Sequence, residues 1–238
     1  MRTIGCKIIT TQNERKIPVA NGHTQAVWTA ENGAYTESNP TFGQTSIDAF
    51  KLTDLIKVSD ELLSDSFFDI EGYISEEFGR AFGEAEEDAF INGAIQTGQT
   101  VIDRPTGLMI AAAAGGAPSG VTTAANNKID ADELISLVYS LKAPYRSKAK
   151  FLMNDATVAY IRKLKDGNGV YMWQPALTAG EPDRLLGYPL YTSPKVPVMA
   201  AGARTIAFGD FSCYWIADRA GRSMKRLNEL YATNGQVG

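Results

Sequence analysis

The densest run of reactive side chains in this sequence is acidic: Glu76-Glu77, then Glu84, Glu86, Glu87 and Asp88. A pair of carboxylates is what glycoside hydrolysis needs, one as acid and the other as base or nucleophile. These six, however, fall in a stretch of helical periodicity that spreads them over several sides of one helix. There they face solvent or basic partners rather than a common substrate. The single histidine, His23, leaves no room for a histidine-based triad or a multi-histidine zinc site. At the start of a strand after Asn21-Gly22 it reads as a surface residue. There is no Cys-x-x-Cys, no phosphate loop of the Gly-x4-Gly-Lys-Ser/Thr kind and no Gly-x-Gly-x-x-Gly. Gly167 and Gly169 come nearest, but they follow a helix and read as a hairpin turn. Cys6 and Cys213 read as small, reduced core residues, with a disulfide between them left open. Tyr171, Met172 and Trp173, like Tyr214 and Trp215, read as core rather than a ligand cage. No catalytic, cofactor-binding or metal-ligating residue is assigned, and no cofactor is implied.

The acidic run belongs to the element around which the chain is organised. From Phe67 onward, apolar residues recur at Ile70, Ile74, Phe78, Ala81 with Phe82, Ala85 and Ala89, the spacing of one helical face. Asp65 or Ser66 is placed to cap the start, and Asn92-Gly93 to end it. Helix from Phe67 to Asn92 would reach roughly 39 Å at about 1.5 Å per residue, well beyond the average helix. Between Asp65 and Asn92 nine acids face one base, Arg80. Like charges this dense destabilise a helix unless cations lie close by. The chain offers Lys142, Arg146, Lys148 and Lys150; Arg162, Lys163 and Lys165; and Arg219, Arg222, Lys225 and Arg226. The plainer reading is a solvated face. The sharper one is that acidic beam and basic patches meet between neighbouring copies, with Arg or Lys of another copy near Glu84 to Asp88.

The elements before the helix are extended. Thr3 to Thr11 reads as a strand, and Glu14 to Ala20 and His23 to Ala30 as two more around an Asn21-Gly22 turn, a strong hairpin signal. Glu31 to Phe42 is polar and Pro/Gly-rich, an excursion that in a globular chain implies a partner to lie on. Ser46 to Ser59 reads as one long strand, and Ser59 to Leu63 as a single helical turn. After the helix, Ala111 to Ala125 is small and Gly-rich. Ala131 to Leu141 reads as a helix stopped by Pro144-Tyr145-Arg146, Lys150 to Met153 as a strand, and Asp155 to Leu164 as a helix capped by Asn154. A turn at Asp166 to Gly169 leads to the strand Val170 to Trp173, and Leu186 to Tyr191 is extended. Thr205 to Phe208, Cys213 to Asp218 and Ser223 to Leu230 complete the strands. Helices interspersed among meandering strands make the fold class α+β.

Bulk properties narrow the function further. The chain of 238 residues is long enough for one large domain or two lobes. Its net charge of −4 argues against a general nucleic-acid binder. No run of 18 apolar residues, no signal-peptide core and no Asn-x-Ser/Thr acceptor occurs, Asn39 being followed by proline. No membrane partner is expected.

Several segments, in order, resemble the tailed-phage major capsid proteins of the Hong Kong 97 fold. They are Val27 to Ala34, Glu37 to Phe42, Lys57 to Ser66 followed by the acidic helix, Arg104 to Leu108, Tyr145-Arg146 to Asn154, Leu164 to Gly167 and Leu186 to Leu190. The resemblance covers nearly the whole chain. It implies a structural subunit, not an enzyme, of an icosahedral phage or prophage head. Copies would form hexamers and pentamers around double-stranded DNA contacted non-specifically, with scaffold, protease and portal proteins as further partners. The product would be a virion component assembled in the bacterial host cytoplasm. Residues 1–64 would hold the extended loop and long strand, 65–120 the spine helix of the peripheral domain, 121–200 the axial domain, and 201–238 returning peripheral strands.

Two departures follow from the same resemblance. Some members join a lysine of the extended loop to a neighbour's asparagine. Asn21 to Pro40 contains no lysine, so shell stability is expected from non-covalent burial alone. The family's N-terminal scaffolding segment, and a last part of the peripheral domain after Gly238, are expected to be missing. An uncovered sheet edge would then make assembly poor. The alternative is a bacterial encapsulin shell of the same fold around an enzyme cargo. A hydrolase using Glu76 and Glu77 is a third reading.

Overall fold

The computed structural model describes residues 1–13, 15–20, 22, 24, 26–47, 49–59, 61, 69–93, 104–111, 120–123, 128–173, 183–219, 223–227 and 236–237. The expected caps Asp65 and Ser66, and with them Phe67, Asn21, His23 and Arg222, lie outside these residues. The chain divides into two compact units, one of residues 1–7, 50–215 and 224–238, the other of residues 8–49 and 216–223.

The first unit is built on a four-stranded sheet. Its strands are β5 (Lys150–Met153), β6 (Arg184–Leu185), β7 (Tyr188–Thr192) and β8 (Ile206–Gly209), in the order β6-β7-β5-β8. β5 is parallel to β7 and antiparallel to β8. An uninterrupted apolar run suits a central strand covered on both faces. Accordingly Phe151, Leu152 and Met153 are fully buried. Around them lie Ile129, Leu134, Val138, Val158, Ile161, Leu185 and Leu190. Phe208 stands 4.5 Å from the Phe151 ring and 5.0 Å edge-on to Tyr188. The helices over this core begin where the sequence signals. The Glu133 side chain accepts from the Asp130 N–H at the start of α3 (Ala131–Ser140). Asn154 accepts from Ala156 N–H to open α5 (Asp155–Arg162), and its amide N–H donates to the carbonyls of Val196 and Pro194. One side chain thus caps a helix and anchors the loop after β7.

α3 ends at Ser140, ahead of Pro144 as expected, and Pro144 itself sits in the first turn of a further short helix, α4 (Ala143–Arg146), where the missing N–H costs nothing. Other local expectations fail here for identifiable reasons. Leu186 is not a strand residue but half of a two-residue reversal with Gly187 (φ 51° and 85°), which pairs β6 with β7. The boundary drawn at 200/201 falls inside this assembly of strands, since β8 hydrogen-bonds to β5. The one-strand reading of Ser46 to Ser59 also fails. Residues 49–57 hold no regular element, and Asp54 draws Leu55 N–H onto its own carboxylate, a local bond that competes with a ladder. Ser46 and Ile47 pair with Lys16 and Arg15, and Val58–Ser59 (β4) with Gln236–Val237 (β10).

The long helix, α1, runs over Ile70–Asn92, 23 residues or about 34 Å. Its start is set by Asp69, whose carboxylate accepts from Gly72 N–H at 2.9 Å. Its apolar stripe is covered only towards the end. Ile91 is fully buried, whereas Ile70, Ile74, Phe78, Ala81, Phe82 and Ala89 are half-buried and Ala85 is exposed. Beyond the helix, Gly107 N–H donates to Gly93 O at 2.7 Å and the chain enters a single turn, α2 (Leu108–Ala111).

The regular elements described in the second unit are all strands. Lys7–Thr11 (β1) pairs with Trp215–Arg219 (β9), and Arg15–Ala20 (β2) with Phe42–Ile47 (β3) over six antiparallel positions. The expected hairpin at Asn21-Gly22 is therefore wrong in its partner. Gly22 continues the β2–β3 ladder, donating to Thr41 O at 3.3 Å. It is glycine because a Cβ would stand 2.7 Å from Thr41 Oγ1. The chain reverses ten residues later, where Gly33 N–H donates to Ala30 O and Asn32 takes φ 66°, as the third residue of a turn requires. Thr3 also leaves the first strand, for a 3-10 turn at Arg2–Ile4.

Candidate assembly surfaces

The β2–β3 hairpin lacks a core of its own. Val19 and Phe42 are exposed, and across its tip Trp28 and Tyr35 are 101% and 92% accessible. A two-stranded ribbon is marginal in water, and side chains of this size are normally kept out of it. The tip, 26–41, carries Glu31 and Glu37 and no lysine or arginine. Neither carboxylate has a polar partner among the described residues. The tip is thus apolar and acidic, with its two large aromatic side chains in water.

The acidic helix, in contrast, finds its cations at home. Glu86 meets Arg2 at 3.1 Å, and Glu84 meets Arg80 at 3.0 Å and Lys195 at 3.7 Å. Glu77 is bonded by Arg80, which holds that carboxyl below its ordinary range and the guanidinium above its own. Glu87 accepts from Ser193 Oγ at 2.9 Å, Asp88 from Asn92, and Glu71 lies 3.5 Å from Arg226. Within one copy, then, Glu84 and Glu86 already meet bases, while Glu87 and Asp88 are bonded by Ser193 and Asn92. The N-terminal 3-10 turn and the loop after β7 bring Arg2 and Lys195 alongside, and neither was among the basic patches singled out. Their signal in the sequence is nil, because only the tertiary fold puts them beside the helix.

Several of the singled-out bases are engaged elsewhere. The Arg162 guanidinium bonds Asp183 and lies 4.8 Å from the Trp173 ring, and Lys165 lies over Tyr171. Arg219 donates to Gln12 O. Arg146, Lys148 and Lys150 converge with Arg184 on a cleft of about 370 Å³ closed by Ser147, Ala149, Gly187, Tyr188 and Pro189. Burial pushes the nearby Asp210 carboxyl up, but bonds from Ser212 and the charges of Lys148 and Lys150 leave it below its ordinary value.

Among the described residues no three His, Cys, Asp or Glu side chains are grouped to hold a metal. Glu77 is committed to Arg80, so Glu76 and Glu77 do not form an acid–base pair. Both cysteines are free thiols; Cys6 is buried, and burial raises its pKa, the opposite of an activated nucleophile. No helix is long and apolar enough to cross a membrane among the described residues.

Comparison with known proteins gives the surfaces a context. The sequence model of the phage capsid family matches residues 2–238. The capsid of a native GTA particle is 33% identical, with 99% of this chain and 81% of that chain covered at a TM-score of 0.85; the empty GTA particle matches at 33% and 0.83. A structure titled Mycobacterium phage Cain shares the fold at 18% identity and a TM-score of 0.70, over 98% of this chain and 78% of the other. A comparison with curated proteins finds no match.

Proposed function

The chain belongs to the phage capsid family, and on that premise we propose how it does the work of a structural head subunit. Copies associate as hexamers and pentamers that close an icosahedral shell around double-stranded DNA. The observation that carries this is the β2–β3 hairpin, whose tip holds Trp28 and Tyr35 in water, where another molecule would bury them. It serves as the extended loop lying across a neighbouring copy. α1 is the spine, stiffened by its own ion pairs, and the β6-β7-β5-β8 sheet with α3 and α5 is the axial body. With no lysine from 21 to 40, the loop is held by burial rather than by a covalent link. The subunit performs no catalysis. Contact with packaged DNA is non-specific, and scaffold, protease and portal proteins are the assembly partners in the host cytoplasm.

Encapsulin is not favoured, because the matched structures above are capsids of GTA particles and of a phage. The deciding experiment is mass photometry and electron microscopy of the purified chain over a range of salt and pH. Rings of five or six copies and closed shells are expected. Monomers under every condition would overturn the reading.

A further inference from the structure

We infer that the basic cleft between residues 146–150 and the β6–β7 turn is the seat for the acidic tip of the β2–β3 hairpin of a second copy. This rests on the self-assembly reading above and names the surface that receives the loop.

The cleft has the chemistry of a receptor for carboxylates. Two of its cations are fixed as a frame. Arg146 donates to the carbonyls of Leu141 and Tyr139 and lies 4.8 Å from the Tyr139 ring, while Lys150 Nζ donates to Ile4 O. The other two, Lys148 and Arg184, have no hydrogen-bond or ion-pair partner of their side chains among the described residues. Both are exposed. Asp210 faces this group, through Lys148 and Lys150, but one carboxylate does not balance four cations. Such a surface repels copies of itself and attracts an acidic segment, which sets both register and partner choice.

The rim points to protein rather than phosphate as the occupant. Leu186 lies between the lining residues Arg184 and Gly187 with φ 51°, a conformation that costs a non-glycine residue about 1–3 kcal/mol and normally selects Asn or Gly. Its side chain is nonetheless half in water, at 48% exposure. Tyr145, next to Arg146, is exposed as well. The exposed part of that leucine offers an apolar contact to a visitor. The tip supplies the complement in kind: Trp28 and Tyr35 for the rim, and Glu31 and Glu37, without a polar partner among the described residues, for Lys148 and Arg184.

The test places benzoylphenylalanine at position 35 of the full chain. Equal amounts of ¹⁵N-labelled and unlabelled chains are mixed before assembly, irradiated and digested for mass spectrometry. Cross-links from position 35 to 142–150 or 184–190 are expected, in mixed-isotope pairs. Lys148→Glu with Arg184→Glu should cut their yield by at least about tenfold, as reversal of two facing charges predicts. Adding Glu31→Lys with Glu37→Lys in the same chain should restore it. Shells that form while position 35 links only to other segments, or only within one copy, would overturn this inference and leave the capsid reading standing. Absence of both shells and links between copies would overturn the two together. An unchanged link yield, with loss of binding to a short fluorescent duplex in the Lys148/Arg184 variant, would assign the cleft to DNA phosphates instead.

Discussion

Thr157 is fully buried on α5, and its hydroxyl has no hydrogen-bond partner among the described residues. A buried hydroxyl without a partner costs about 1–3 kcal/mol, and valine has the same shape without it. Thr157→Val should therefore stabilise the chain by about 1 kcal/mol, seen as a higher urea midpoint at unchanged slope; a lower midpoint would mean the hydroxyl has a partner after all. Tyr214 presents the reverse case. Its hydroxyl donates to Thr106 O at 2.8 Å, and burial, then the Cys6 charge, push its pKa up to about 12. The unfolded chain gives up this proton near pH 10, whereas the folded chain holds it to about 12. Stability is thus intact below pH 10 and falls as pH rises from 10 to 12, by up to about 2–3 kcal/mol from this group. Cys6, raised by burial, acts in the same sense from about pH 9 upward. Tyr214→Phe should lose about 1 kcal/mol at pH 7 with the hydrogen bond, yet show a shallower decline above pH 10. Urea midpoints between pH 8 and 11.5 separate the two effects. Neither residue was legible beforehand, since Tyr214 read only as core and Thr157 as one helical position among ten.

At the scale of elements, legibility followed how local the cause is. α3, α5 and β5 are where their periodicity and, for α5, the Asn154 cap put them, because such causes act on backbone within a few residues; the Asp130–Glu133 bond that opens α3 is equally local but was not singled out in the sequence. The long helix was legible for the same reason, although its described start is Ile70, capped by Asp69. Pairing was not legible. Asn21-Gly22 carries the stronger turn signal, but six rungs with Phe42–Ile47 outweigh a local preference, and the reversal passes to Asn32-Gly33. The helix C-terminus shows what else escapes a sequence reading. Gly93 takes φ −56°, so it is not there for a left-handed cap. It is there because another backbone passes against it. A Cβ on Gly107 would stand 2.6 Å from Ile91 O and 2.7 Å from Asn92 N, atoms of backbone that cannot turn aside. Gly107→Ala should destabilise by about 3 kcal/mol or more, beyond the usual cost of overpacking a side chain against flexible neighbours. A melting temperature within a degree or two of wild type would show that the crossing can open. Gly79→Ala, on an exposed part of α1 with no atom within 4 Å of the added methyl, should instead stabilise by about 0.5–1 kcal/mol.

For the whole molecule, the informative contrast is between where apolar surface is buried and where it is left in water. The sheet around Phe151 is closed and self-sufficient, and truncating that ring to alanine should cost about 3–5 kcal/mol of folding stability. The hairpin tip is the opposite. Trp28 and Tyr35 touch so little of their own chain that Trp28→Ala and Tyr35→Ala should change folding stability by no more than about 0.5 kcal/mol. Large aromatic residues that anchor interfaces typically contribute about 2–4 kcal/mol each to association. Each tip variant should therefore raise the concentration needed to form rings by roughly 30- to 1,000-fold, while melting with the wild-type curve. The pair of measurements separates a docking element from a merely exposed one. Loss of assembly with an unchanged melting curve places the energy of the shell in the loop. Unchanged assembly would move that energy to the half-covered stripe of α1, where Phe78 and Phe82 stack at 6.1 Å and Ile70 and Ile74 are the other apolar side chains still open to a neighbour.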